Sequence, residues 1–242
     1  MVAKIQDIKF LCIDKTKRIN TMMTYLKSIL CIAIAAFISS TLHAQNESSK
    51  KSMLSIHVGP SWHVGSLMGI TNFEDAYKKD LRKRIAWDIS YWYVGESLHH
   101  IGVRIAPGFF YQGSTYKNTY DTGADKLQMH YLAPQFGIFF IRNHYQVQAA
   151  TGIGYQFYKN KSTVYGKPRE VEMNRLACNF SLSGEYFLSK QWGVSAQLNW
   201  LISHAESYQT KYHDQTWKVI QPKSGYGYFG QLSLLFGLNY HF

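Results

Sequence analysis

The chain has 242 residues, a formal net charge of +11, 46% hydrophobic and 16% aromatic residues, and three cysteines. That length fits one domain, and so few cysteines exclude a disulfide-stapled scaffold. A basic balance invites nucleic acid, but the rings alternate along apolar faces instead of forming a basic, stacked patch, which argues against that partner.

At the N-terminus, residues 1–21 carry Lys4, Lys9, Lys15, Lys17 and Arg18 ahead of Met22 and Met23. The leader is longer than secretion needs, so translation is expected to begin at Met22 or Met23, with 1–21 a mis-assigned segment. Ser28 to Ala44 is apolar, preceded by Lys27 and followed by polar Gln45 to Lys51. This is the pattern of a secretory signal peptide over 1–44, cleaved after Ala44. The run is shorter than the ~20 residues of a transmembrane helix. Its removal leaves Cys178 as the one cysteine and a charge of +7, from 20 basic and 13 acidic side chains.

Downstream, eight segments alternate apolar and polar side chains with a period of two, the mark of strands with one apolar face. In Met53 to Ser66, Leu54, Ile56, Val58, Pro60, Trp62 and Val64 face outward, and Ser55, His57, Gly59, Ser61 and His63 inward. Arg84 to Val94 turns Ile85, Trp87, Ile89, Tyr91 and Tyr93 outward against Ala86, Asp88, Ser90 and Trp92. Ile101 to Tyr116 places Ile105, Pro107 and Phe109 outward and Arg104, Ala106 and Gly108 inward. Leu127 to Arg142 carries Leu132, Pro134, Phe136, Ile138 and Phe140 on one face. Pro134 cannot donate to a ladder and predicts a bulge. Tyr145 to Tyr158, Arg175 to Leu188 and Trp192 to Ser203 come next. Tyr228 to Phe242 is the eighth, with Tyr228, Leu232, Leu234, Phe236, Leu238 and Tyr240 opposite Phe229, Gln231, Ser233, Asn239 and His241.

These segments reach the ~9 to 11 residues of a tilted membrane-crossing strand. Short connections at 95–100, 143–144 and 189–191 alternate with long ones at 67–83, 117–126, 159–174 and 204–227. Outer-membrane barrels are connected this way, by short periplasmic turns and long extracellular loops. An open edge leaves backbone groups unsatisfied in hydrocarbon, so the eighth strand must close against the first. The expected fold is all-β: an eight-stranded antiparallel transmembrane β-barrel over 53–242, its lumen filled by side chains, behind a short periplasmic tail at 45–52. Outward aromatics near the segment ends, including Trp62, Trp87, Tyr155, Trp192 and Tyr240, suit interfacial girdles.

The last strand resembles the C-terminal signature of Gram-negative barrel proteins, with Phe242 preceded at every second position by Tyr240, Leu238 and Phe236. The resemblance implies an assembly signal read by the barrel-assembly machinery. It also implies residence in the outer membrane of a Gram-negative bacterium, among its lipid and lipopolysaccharide. Tyr131-Leu132-Ala133-Pro134 looks like the Tyr-Leu and Pro strand motif of the small bacterial outer-membrane β-barrel domain family, porin-like in fold. Many members of that family have no assigned activity, and one branch serves as the barrel of a protein-secretion machine. The implied protein is monomeric, and an envelope protein is its further candidate partner.

Ionisable residues at inward positions form one candidate set: His57, His63, Asp88, Arg104, Arg175 and Glu185. Charge buried in a narrow barrel must be paired or hydrated, so a lumen network is expected, with Arg104 meeting Glu185 near the periplasmic turns and Asp88 one layer higher. His204, Glu206 and Ser207 form a second set, because an outer-membrane lipid A deacylase uses a His, a Ser and an acidic residue. Here Ser207 falls three residues from His204, on the opposite strand face. In the first external connection, Thr71-Asn72-Phe73-Glu74 has the capping-box pattern, and Phe73, Ala76, Tyr77 and Leu81 recur at helical spacing. A short amphipathic helix on the outer surface is expected. Lys78, Lys79, Arg82, Lys83 and Arg84 beside it are candidate contacts for lipopolysaccharide phosphates or an acidic partner. Trp217, Val219 and Ile220 in the last connection are exposed unless that loop folds back.

No metal-ligand spacing or phosphate-binding glycine loop is present, and no cofactor is expected. These features predict a non-enzymatic integral outer-membrane barrel serving the envelope structurally or through surface interaction, with a secretion-machine component as a finer form. The alternatives are a lipid A-modifying hydrolase built on His204 and Ser207, and a small-solute pore passing Arg104 and Glu185.

Overall fold

The computed structural model describes residues 52–70, 72–95, 97–98, 103–213, 215–220 and 227–242. The expected signal peptide, its leader and the tail up to Lys51 lie outside the described residues, as does Thr71 of the capping-box pattern. The strands are β1 (Ser52–Gly65), β2 (Lys83–Tyr93), β3 (Ser97–Leu98), β4 (Val103–Tyr120), β5 (Gly123–Ile141), β6 (Tyr145–Val164), β7 (Lys167–Phe187), β8 (Trp192–Ala205), β9 (Ser207–Tyr212), β10 (Gln215–Ile220) and β11 (Gly227–His241). Among the described residues there is one helix, α1 (Asp75–Leu81), between β1 and β2.

Eight strands close a ring in the order β1-β2-β4-β5-β6-β7-β8-β11, every pair antiparallel. The seam joins β1 to β11, with Leu54 opposite Tyr240 and Trp62 opposite Leu232. Side-chain parity follows the sequence: along β2, Ile85, Trp87, Ile89, Tyr91 and Tyr93 are exposed, and Ala86, Asp88, Ser90 and Trp92 are buried. Rings of aromatics bound the exposed apolar belt. Trp62, Trp87, Tyr155 and Trp200 lie toward one end, and Tyr93, Tyr145, Tyr186 and Trp192 toward the other, as in lipid-interface girdles.

Beyond the first girdle the expected loops 117–126 and 159–174 are strand. Lys117 pairs with Lys126 and Ser162 with Arg169, leaving only Asp121-Thr122 and Tyr165-Gly166 as turns. Tyr165 and Gly166 have φ of 48° and 74°, the two left-handed residues that suit a two-residue hairpin. The last external connection also holds a hairpin, β9–β10, whose β9 pairs with the outer end of β7.

The bulge expected at Pro134 is absent. Leu132 opposite Tyr155 and Gln135 opposite Gly152 keep one register, so the missing N–H interrupts the β5–β6 ladder without inserting a residue. A one-residue slip occurs instead near Glu206, between the pairs Ala177–Ser203 and Glu172–Gln209. That slip makes β8 and β9 one strand broken by a bulge.

The lumen has three layers. At the periplasmic end Met53, Trp92, Val94, Ala106 and Phe139 pack together. Trp92 needs room that only glycine leaves: a Cβ on Gly108 would stand 2.4 Å from its ring. The middle layer is polar. At the outer end, α1 and the chain before it drop into the mouth, where Met68, Ile70, Tyr77 and Leu81 pack on Phe110, Leu127, Met129, Tyr158, Val171 and Phe229.

Candidate functional site

The middle layer is built by inward positions of seven strands. Asp88 Oδ1 is 2.7 Å from His57 Nδ1, and Gln197 Nε2 donates to Asp88 Oδ2 at 2.9 Å. His57 Nε2 lies 2.8 Å from Ser195 Oγ, which donates to Asn239 Oδ1 at 3.1 Å. Further out, Asn199 donates to Gln112, Gln112 to Ser233, and Ser114 to Gln231, at 2.8 to 2.9 Å. Asn179 Oδ1 accepts hydrogen bonds from Gln135 Nε2 at 2.7 Å and the Tyr131 hydroxyl at 3.1 Å. Chains of this kind satisfy buried polar groups that water cannot reach.

Asp88, His57 and Ser195 have the order and spacing of a nucleophilic triad. Their exposures of 0%, 3% and 7% place them in a lumen capped above and below by apolar clusters. A triad needs an open nucleophile and a site for the developing oxyanion. Here the serine hydroxyl is committed to Asn239, and the chain acts as an interstrand strut.

The structure separates the expected ionisable set. Arg104 does not reach Glu185; that carboxylate is 2.6 Å from His241 Nε2 and accepts from Gln146 at 3.1 Å. Arg104 faces the periplasmic end opposite Phe139, on strands well removed from Glu185. Arg175 bonds the Ser207 carbonyl and hydroxyl at 2.8 and 2.7 Å, fixing the start of β9 away from the middle layer. His63 Nε2 is held by the Ser66 carbonyl at 2.8 Å, above the Asp88 group. Of the six, His57 and Asp88 are joined directly. Ser195, Gln197 and Asn199 were not singled out from sequence, although β8 parity turns all three inward.

The outer mouth carries the other expected site. Helix α1 starts after Glu74, whose side chain does not cap it, and Asn72 accepts from the Glu74 N–H at 2.9 Å in a local turn. Phe73 is 73% exposed and Ala76 is exposed too, whereas Tyr77 and Leu81 are buried, so the helix is a stopper and not a strip lying on the outer surface. Tyr77 donates to Asp125 at 2.8 Å, Asn160 donates to the same carboxylate at 2.7 Å, and Asn160 and Arg169 both donate to the Gly69 carbonyl at 2.9 Å. Tyr158, above the girdle, donates to the Met68 carbonyl at 2.9 Å; burial pushes its hydroxyl pKa up, which keeps that proton in place.

Of the five basic candidates, Lys79 and Lys83 are exposed and Lys78 is half-buried, 3.8 Å from Asp75. Arg82 is spent on the Gly65 carbonyl at 2.8 Å. Arg84 corrects the expectation: β2 parity turns it into the lumen, at 4% exposure, where no lipopolysaccharide phosphate reaches. His204 is exposed outward, opposite Tyr228, whereas Ser207 is buried and bonded to Arg175, so the two do not form a catalytic pair. Phe236, Leu238 and Phe242 are exposed on the belt, and Tyr240 stacks with Phe242 at 5.9 Å. Among the described residues no three His, Cys, Asp or Glu side chains gather as a metal site.

No family model matches the chain, and no curated protein matches it. Among solved structures it is similar to a major outer membrane protein from Thermus thermophilus, with a TM-score of 0.51 and 13% identity over 79% of this chain and 99% of that one. It also aligns with Ail, the attachment invasion locus protein of Yersinia pestis, at TM-score 0.45 and 12% identity over 79% and 99% of the chains. The outer membrane protease OmpT from Escherichia coli aligns at 0.45 and 8% over 84% and 100%. The comparison with the Thermus protein supports the fold, and the ring closure and lipid belt define it. The chain has the fold of the small bacterial outer-membrane β-barrel proteins.

Proposed function

We propose that the protein is a non-enzymatic outer-membrane barrel that acts at its outer rim, where exposed lysines hold the phosphates of lipopolysaccharide. The observation that carries this reading is the occluded lumen. Apolar side chains fill both ends around a hydrogen-bonded middle, so a continuous water path and an accessible nucleophile are both disfavoured. Activity is thereby left to the surface. Lys79 and Lys83 beside α1, and Lys117, Lys126, Lys161 and Lys167 on the projecting hairpins, are exposed on that side.

A basic side chain near an anionic membrane surface gains about 1 kcal/mol, roughly a fivefold change in affinity. Lys79→Glu with Lys83→Glu is therefore expected to weaken binding to lipopolysaccharide micelles at least twentyfold, more at low salt than at high. Equal binding by variant and parent overturns the proposal. A stoichiometric protein that co-purifies from detergent-solubilised membranes in place of lipopolysaccharide would assign the rim to an envelope partner, as in a secretion machine.

A further inference from the structure

Arg84 opens the lumen face of β2 at 4% exposure, and its Nε, Nη1 and Nη2 have no hydrogen-bond partner. Directly opposite on β1 stands Ser61, whose hydroxyl is also unpartnered. Two residues along the same face is His63, whose Nδ1 is unpartnered while Nε2 holds the Ser66 carbonyl. Because a carbonyl only accepts, Nε2 carries the proton of that bond. Phe229 meets the His63 ring edge-on at 4.6 Å, Tyr158 meets Phe229 at 5.0 Å, and Leu81 belongs to the same apolar cluster above. Three buried lumen carboxylates are engaged elsewhere, Asp88 with His57 and Gln197, Asp125 with Tyr77 and Asn160, and Glu185 with His241 and Gln146.

A guanidinium cannot shed its proton to escape burial. Enclosing it without a counter-charge is strongly unfavourable, and water satisfies its N–H groups without compensating the charge. We propose that Ser61, His63 and Arg84 form a closed site in the upper lumen that holds one small monovalent anion of halide size. The guanidinium fork and the Ser61 hydroxyl supply the donors, and the His63 ring walls the site beside them. A single-atom anion accepts from any direction, which suits a lumen that eight strands leave narrow and α1 closes.

Crystals of the full mature barrel grown with bromide in place of chloride test this at the bromine edge. The expected result is an anomalous peak within hydrogen-bond reach of Arg84; bromide found only on the surface, or ordered water alone at Arg84, overturns it. A second measurement does not depend on crystals. In detergent, each tenfold rise in chloride above half-saturation is expected to raise the thermal midpoint by roughly 3 to 5 °C relative to gluconate. Arg84→Met should abolish that difference while still giving a folded band, and Ser61→Ala should reduce it. A midpoint of the parent barrel that is the same in both anions overturns the site.

Discussion

Asp88 uses both carboxylate oxygens inside the lumen, one on His57 and one on Gln197. Removing one member of a buried pair strands the other, at a cost of about 3–5 kcal/mol. Asp88→Leu is therefore expected to lower the urea-unfolding free energy by that amount in refolded vesicles. The double variant with His57→Leu should lose less than the sum of the two single losses, and strict additivity would mean that the pair is not coupled. Ser195 continues the same chain, between His57 and Asn239. A fluorophosphonate serine probe is expected to leave the folded protein unlabelled; labelling that disappears in Ser195→Ala would make it an enzyme. Both residues of the Asp88–His57 pair were legible from strand parity, because inward charge in a narrow barrel demands a partner. Arg104 and Glu185 were misjoined because parity gives the face of a residue but not its azimuth around the ring.

Helix α1 is held by its packing more than by its own ends, since the Glu74 side chain at its start does not cap it. Leu81 is fully buried, and truncating such a leucine costs about 2–5 kcal/mol. Because the helix can open without unfolding the barrel, Leu81→Ala is expected to accelerate amide exchange over 75–81 at least tenfold and leave the β1–β2 amides protected. Tyr77→Phe should act in the same direction, more weakly, by removing the donor to Asp125. The helix itself was readable from the spacing of Tyr77 and Leu81, but its destination was not. Apolar residues at helical spacing fit a surface strip and a stopper equally well. Asp125 and Asn160, which decide the matter, lay in segments expected to be loops, where no face can be assigned. Those segments became strand because the alternation of Val171 and Met173 continues past the girdle and two left-handed residues turn the hairpin.

At the scale of the whole barrel, two apolar layers close the shaft independently. Purified protein in planar bilayers is expected to carry no measurable ionic current, and replacing 72–82 with a short polar turn should leave it non-conducting, because Trp92 and Phe139 still fill the periplasmic end. Stepwise conductance in the parent would revive the pore. The β1–β11 seam bears on how such a molecule is made. Every other ladder of the ring joins strands close in sequence, whereas this one brings together the two ends of the described barrel. Contacts so distant in the chain form late, because a large loop must be closed before they stabilise anything. Until then the sheet has two free edges, which hydrocarbon does not tolerate. Insertion and closure are therefore a single kinetic event, and a variant that weakens only the seam should slow the gain of the heat-modifiable form without changing the strand content of the intermediate.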